Sequence, residues 1–158
     1  MVHEWNSKGN IKKGDTMSEN QYFLNSLLNT AQQERTGVES VLNYPMRPTL
    51  RRCLESQRRE YDAIEREAVS IAASRGWDLR DLEPSVKLMH RANTRIKLFH
   101  GHTDSKIAGL MIHSSTRSLV DCIRQQRQYD TKDQSLMTLC QKLQDCENAN
   151  IRQMQMFL

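Results

Sequence analysis

Apolar residues recur every three to four positions from Glu19 to the C-terminal Leu158, a spacing that admits essentially one kind of secondary structure, the amphipathic helix. A first helix is predicted over about Glu19–Asn43, with Leu24, Leu27, Ala31, Val38 and Val41 on one seam. A second follows over about Pro48–Arg75 through Leu50, Leu54, Tyr61, Ile64, Ala68 and Ile71, with Gly76 as its left-handed C-cap. A shorter one, about Pro84–Phe99, turns Met89, Ala92, Ile96 and Phe99 inward. After a break in which Thr103 or Asp104 caps what comes next, a helix over about Ser105–Tyr129 buries Ala108, Met111, Ile112, Leu119 and Ile123. The last, about Lys132–Met156, carries Leu136, Leu139, Leu143, Cys146, Met154 and Phe157. All three prolines, Pro45, Pro48 and Pro84, fall at helix boundaries, where a fixed φ and a missing N–H cost little. Long helices joined by short loops lie antiparallel, each with one apolar stripe to cover. The expected fold is therefore all-α, an antiparallel up-down four-helix bundle with an additional short helix before the third long helix.

Residues 1–16 (MVHEWNSKGNIKKGDT) share none of this periodicity. The codons for Lys12–Met17 can contain GGAG just upstream of an ATG for Met17, as a bacterial ribosome-binding site would. The expectation is that residues 1–16 are translated leader or tail, that the native start is Met17, and that residues 17–158 form a single helical-bundle domain. No basic start followed by an apolar core marks a signal peptide, and no apolar run is long enough for a membrane span. A cytoplasmic protein is expected. Its four cysteines, Cys53, Cys122, Cys140 and Cys146, form no C-x-x-C pair and read as reduced thiols in the core.

The net charge of +4 is local. Residues 84–130 hold eight basic side chains against three acidic ones, and Lys87, Arg91 and Arg95, spaced by four, form a stripe on one helix face. Such a stripe is a candidate anion or phosphate footprint. With aromatics at 6% and no recognition motif beside it, nucleic acid is the weaker reading and a solvated face the stronger.

Polar residues on the apolar seams say more, because burying them is costly unless they are paired. Glu34 lies between Ala31 and Val38, Gln57 between Leu54 and Tyr61. His113, Ser114, Ser115 and Thr116 lie between Ile112 and Leu119, and Glu147 and Asn150 follow Leu143. Together they are a candidate mid-bundle polar layer, which is where carboxylate-bridged iron or manganese proteins build their centres. Such a centre needs Glu-x-x-His on two helices, and no histidine here has a glutamate three residues before it. Glu147-x-x-Asn150 comes nearest, with an amide in place of the imidazole. No metal or other cofactor is expected, no nucleophilic triad can be assembled, and catalysis is not the leading reading.

Three stretches, Thr36–Val41, Asp104–Ile112 leading into Ser115-Thr116, and Glu147–Ile151, resemble small uncharacterised proteins of clostridia-like bacteria with a ferritin-like four-helix bundle. The resemblance spans about Glu19–Leu158. Ser114 and Ser118 stand where those relatives more often carry glycine, which implies a looser helix approach here. It implies a fold and not an activity. The expected function is a non-enzymatic interaction or accessory protein, self-associating or binding a protein partner through helix faces, with Met154, Met156 and Phe157 as an apolar end. The alternative is a noncanonical metal-binding oxidoreductase or metal-storage protein using Glu34, Glu147, Asn150 and His113.

Overall fold

A computed structural model of the chain describes residues 17–158, and the expected leader lies outside the described residues. Five helices follow in order: α1 (Glu19–Leu42), α2 (Pro48–Ser74), α3 (Pro84–Leu98), α4 (Asp104–Tyr129) and α5 (Gln134–Gln155). Each end lies within two residues of its expected position, and the side chains that stop and start the helices explain why. Ser18 and Gln21 close a reciprocal capping box on α1. The Thr103 hydroxyl accepts from the Lys106 amide at the start of α4. Asp133 accepts from the Ser135 and Leu136 amides at the start of α5 and also receives the Arg75 guanidinium.

Gly76 ends α2 with φ +66°, the left-handed region, while its N–H bonds Ala73 and the Trp77 N–H bonds Ala72. A Cβ at Gly76 would meet nothing within 4 Å. Gly76→Ala should therefore cost only the backbone penalty, about 1–2 kcal/mol. Urea unfolding would read this as a lower midpoint with an unchanged slope.

The end contacts give the direction of every helix. Arg47, ahead of α2, pairs with Asp104 at the start of α4 at 2.7 Å. Arg75, after α2, pairs with Asp133 at the start of α5. Thr131, just before α5, donates to Asn20 in the first turn of α1 at 2.8 Å. So α1 and α5 run one way and α2 and α4 the other. The chain crosses from the end of α2 to the start of α4 by way of α3, which runs back along α1.

Helices α1, α2, α4 and α5 enclose one core of leucines with Phe23, Tyr61, Ile107, Met111 and Met154. The C-terminal end is divided between core and surface. Met154 is buried and Phe157 packs on the core, while Met156 points out. α1 is the most enclosed helix and buries Thr30, Thr36 and Ser40. Their hydroxyls donate to the carbonyls of Ser26, Gln32 and Thr36 four residues back, so no polar group is stranded.

α3 departs from expectation. The inward set Met89, Ala92, Ile96 and Phe99 is exposed, and the residues turned to the bundle are Val86, His90, Thr94 and Leu98. The tethers at its two ends account for this. Asn25 and Asn29 donate to the Arg80 carbonyl at 3.0 and 2.9 Å. Buried Gln32 donates to Asp81 at 2.8 Å and accepts from the Leu82 amide at 2.7 Å. At the far end the His102 ring lies 5.7 Å from that of Tyr44. These clasps fix the rotation of α3 and leave its broader apolar stripe in water. In α4 the buried stripe runs Ile107, Met111, Ser115, Ser118 and Cys122, while the expected Ile112, Leu119 and Ile123 are half-buried on its flank.

Candidate functional site: a carboxylate layer at mid-bundle

The two seam glutamates are both inside. Glu147 on α5 is fully buried and Glu34 on α1 is 5% exposed. Glu147 accepts from the Tyr61 hydroxyl of α2 at 2.8 Å on one oxygen and from the Ser118 hydroxyl of α4 at 2.8 Å on the other. Asn150, one turn on, donates to the Tyr61 oxygen at 2.9 Å. The Ser114 hydroxyl lies 2.9 and 3.0 Å from the two oxygens of Glu34. All four bundle helices thus contribute to one layer, as Glu34, Tyr61, Ser114 with Ser118, and Glu147 with Asn150.

Burial makes both acids hold their protons. Desolvation, then the nearby charge of Glu147, raises Glu34 to about 8, with Ser114 and Arg117 acting in the other direction. Desolvation raises Glu147 to about 7 against the hydrogen bonds from Ser118, Tyr61 and Ser115. Tyr61 is itself pushed above its ordinary value by burial and by these two acids. Near neutral pH the layer is therefore a proton-rich, hydroxyl-lined cluster.

Of the residues expected in this layer, Glu34, Ser114, Ser115, Glu147 and Asn150 are there. His113 and Thr116 are not, because they sit on the exposed side of α4. Gln57 is buried but lies apart from the carboxylates. It donates to Gln153 of α5 at 2.8 Å and leaves its own carbonyl oxygen unpartnered. Tyr61 and Ser118, which the expected set omitted, are central. The Tyr61 signal was a buried phenol, which needs a partner for its hydroxyl. Ser118 sits four residues beyond Ser114 on the same face.

The donor set does not fit a bridged metal pair. The carboxylate oxygens are taken by O–H donors, the neighbours are hydroxyls and an amide, and among the described residues no imidazole is hydrogen-bonded to either carboxylate. Among the described residues no group of three or more His, Cys, Asp or Glu is arranged to hold a metal ion. The four cysteines are free thiols, Cys122 and Cys140 buried with sulfurs 3.4 Å apart, Cys53 and Cys146 half-buried.

The basic stripe is divided by the rotation of α3. Lys87 is half-buried and faces the bundle near Glu65, whose carboxyl burial raises, with Arg35 and more weakly Lys87 acting the other way. Arg91 and Arg95 are exposed and line a groove of about 430 Å³ with Ser40, Asn43, Tyr44, Leu88 and Ala92. Beside it stand Leu88 at 66%, Met89 at 60%, Ile96 at 71% and Phe99 at 80% exposure. Among the described residues no helix is long and apolar enough to cross a membrane. No protein-family model matches the chain, and no curated protein or solved structure matches it.

Proposed function

We propose that this chain is a non-enzymatic interaction protein built on a ferritin-like bundle, and that α3 is its docking element. The observation that carries the reading is the outward apolar stripe Leu88, Met89, Ile96 and Phe99. Large apolar side chains clustered in water on one short helix mark a contact surface. Charge selects the partner. Arg91 and Arg95 flank the stripe without an ion pair to any described residue, so a second copy of α3 would bring like charges together. The occupant is an acidic amphipathic helix of another protein, with an apolar side chain in the groove beside Tyr44 and carboxylates on the two arginines. The ferritin-like assignment is supported by the single crossover through α3, which leaves α1 and α5 running against α2 and α4. A cytoplasmic location fits a bundle with this kind of surface.

The test uses two synthetic amphipathic helical peptides, one with leucines flanked by glutamates and the other with the same leucines flanked by lysines. The acidic peptide should bind more tightly and shift the amide signals of Leu88, Ala92 and Ile96. The double variant I96E/F99E should bind it at least tenfold more weakly and melt as the parent does, since both side chains are already exposed. Equal binding of the two peptides overturns the reading, as does binding that survives I96E/F99E. A concentration-dependent dimer abolished by I96E/F99E would replace the acidic helix with a second copy. Salt-sensitive binding of duplex nucleic acid lost on R91E/R95E would replace it with a phosphate backbone.

A further inference from the structure

A second cleft lies on the opposite side of α3, between it, α1 and α4. Two adjoining cavities of about 280 and 80 Å³ share His90 and Asn93 of α3 with Ser114 and Arg117 of α4. Glu34 lies along the larger cavity and Gly37, one turn later on α1, along the smaller. From these residues we infer that the cleft is a binding site for a small organic carboxylate with an apolar body, its headgroup on Arg117 and Asn93 and its hydrocarbon part along α3 and α4.

Arg117 is exposed at the cleft and has no ion pair among the described residues, so its guanidinium can take a carboxylate at both N–H edges. Lys97 in the adjoining cavity adds a second positive charge. Asn93 of α3 lines both cavities and supplies an amide donor there. Two acids line the larger cavity: Glu34 does not repel the headgroup, because burial holds its proton up to about 8, and Asp121 lies 3.8 Å from the Arg124 guanidinium that offsets its charge. His90 is held below its ordinary value by burial and by Arg117 and Lys97, so at neutral pH it is an uncharged hydrogen-bonding group. Val86 and Met89 in one cavity, and Val41, Leu110 and Met111 in the other, give an apolar lining that a bare phosphate would leave uncovered. At about 280 and 80 Å³ the adjoining cavities lie at the low end of the range for ligand pockets, room for a body of about four to eight carbon atoms.

The role of Gly37 is spatial. A Cβ there would meet nothing within 4 Å, so the missing side chain is room for a ligand and not a packing requirement of the bundle. That gives a variant that fills the cleft without disturbing the fold, because a helix former at a mid-helix glycine also favours the helix.

The experiment is a titration with sodium benzoate and sodium butyrate at pH 6.5, followed by amide chemical shifts, with inorganic phosphate as competitor. Benzoate should saturate, moving the signals of Gly37, Asn93, Ser114 and Arg117. Gly37→Leu and Arg117→Gln should each weaken it at least tenfold while melting no lower than the parent, and phosphate should compete poorly. The inference fails if benzoate does not saturate, if its binding is unchanged in both variants, or if phosphate competes as well as butyrate. Neither variant touches the outer face of α3, so failure here and failure of the docking reading are distinguishable.

Discussion

Stability should fall as pH rises from 5 to 7, the reverse of the usual behaviour of proteins rich in paired carboxylates. Unfolded, both glutamates ionise near 4.5, and folded they ionise at about 8 (Glu34) and about 7 (Glu147). Between those values the native state holds more protons than the unfolded state. The slope of unfolding free energy with pH is therefore negative. Stability is greatest below 4.5, is lost as pH climbs through 7 and 8, and levels off above. Each proton held only by the native state contributes about 1.4 kcal/mol per pH unit. For two such acids that is about 2–3 kcal/mol per pH unit, or a melting temperature lower by roughly 10–20 °C at pH 7 than at pH 5. His90, lowered in the fold, works in the opposite direction below about 6.5, and Asp133 matters only below its ordinary 3.8. The double variant E34Q/E147Q isolates the layer. It keeps the shapes and the neutral form, and its melting temperature should vary little from pH 5 to 8 and exceed the parent's at pH 8. A parent that is more stable at pH 7 than at pH 5 would refute the assignment of proton-holding acids.

The second large effect is at Tyr61. Its hydroxyl is buried, donates to Glu147 and accepts from Asn150, so Tyr61→Phe leaves one Glu147 oxygen unpartnered and leaves the Asn150 amide only its longer contact to the Cys146 sulfur. A buried polar group left unpaired costs about 1–3 kcal/mol, and the variant should lose about 2–4 kcal/mol at neutral pH. Loss of the Tyr61 hydrogen bond also removes one of the contacts that restrain Glu147, so the pH at which stability levels off should move upward. Denaturant unfolding of Y61F at pH 6 and pH 8 reads both effects. A loss below 0.5 kcal/mol at both would mean that the hydroxyl is not holding the layer together.

Much of the fold could be read from the sequence because local chemistry and packing agree along most of the chain. The cap Thr103, the prolines at helix starts and Gly76 in the left-handed region each act within one turn, where sequence and structure are closest. Glu34 and Glu147 were visible for a similar reason, since a charge on an apolar seam is conspicuous wherever the seam lies. Helix rotation was the weak point. In α4 two neighbouring stripes compete, and the one that packs runs through Ser115, Ser118 and Cys122. The result turns His113 and Thr116 outward and brings in Ser118. In α3 the sequence shows one clear apolar stripe, and the fold leaves it in water. Side chains some 50 residues away, Asn25, Asn29 and Gln32, hold the chain ahead of α3 and set its rotation. Periodicity carries no record of such long-range tethers.

The buried carboxylates are bonded to hydroxyl neighbours, and the proposed docking surface does not involve them. The most direct test is calorimetric titration with ferrous and manganous ions at pH 7, on protein made without a histidine tag, with the melting temperature followed in parallel. The account predicts no stoichiometric binding and a melting temperature unchanged by either ion or by a chelator. Binding of one or two ions per chain that raises the melting temperature, and that disappears in E34Q and E147Q, would contradict it.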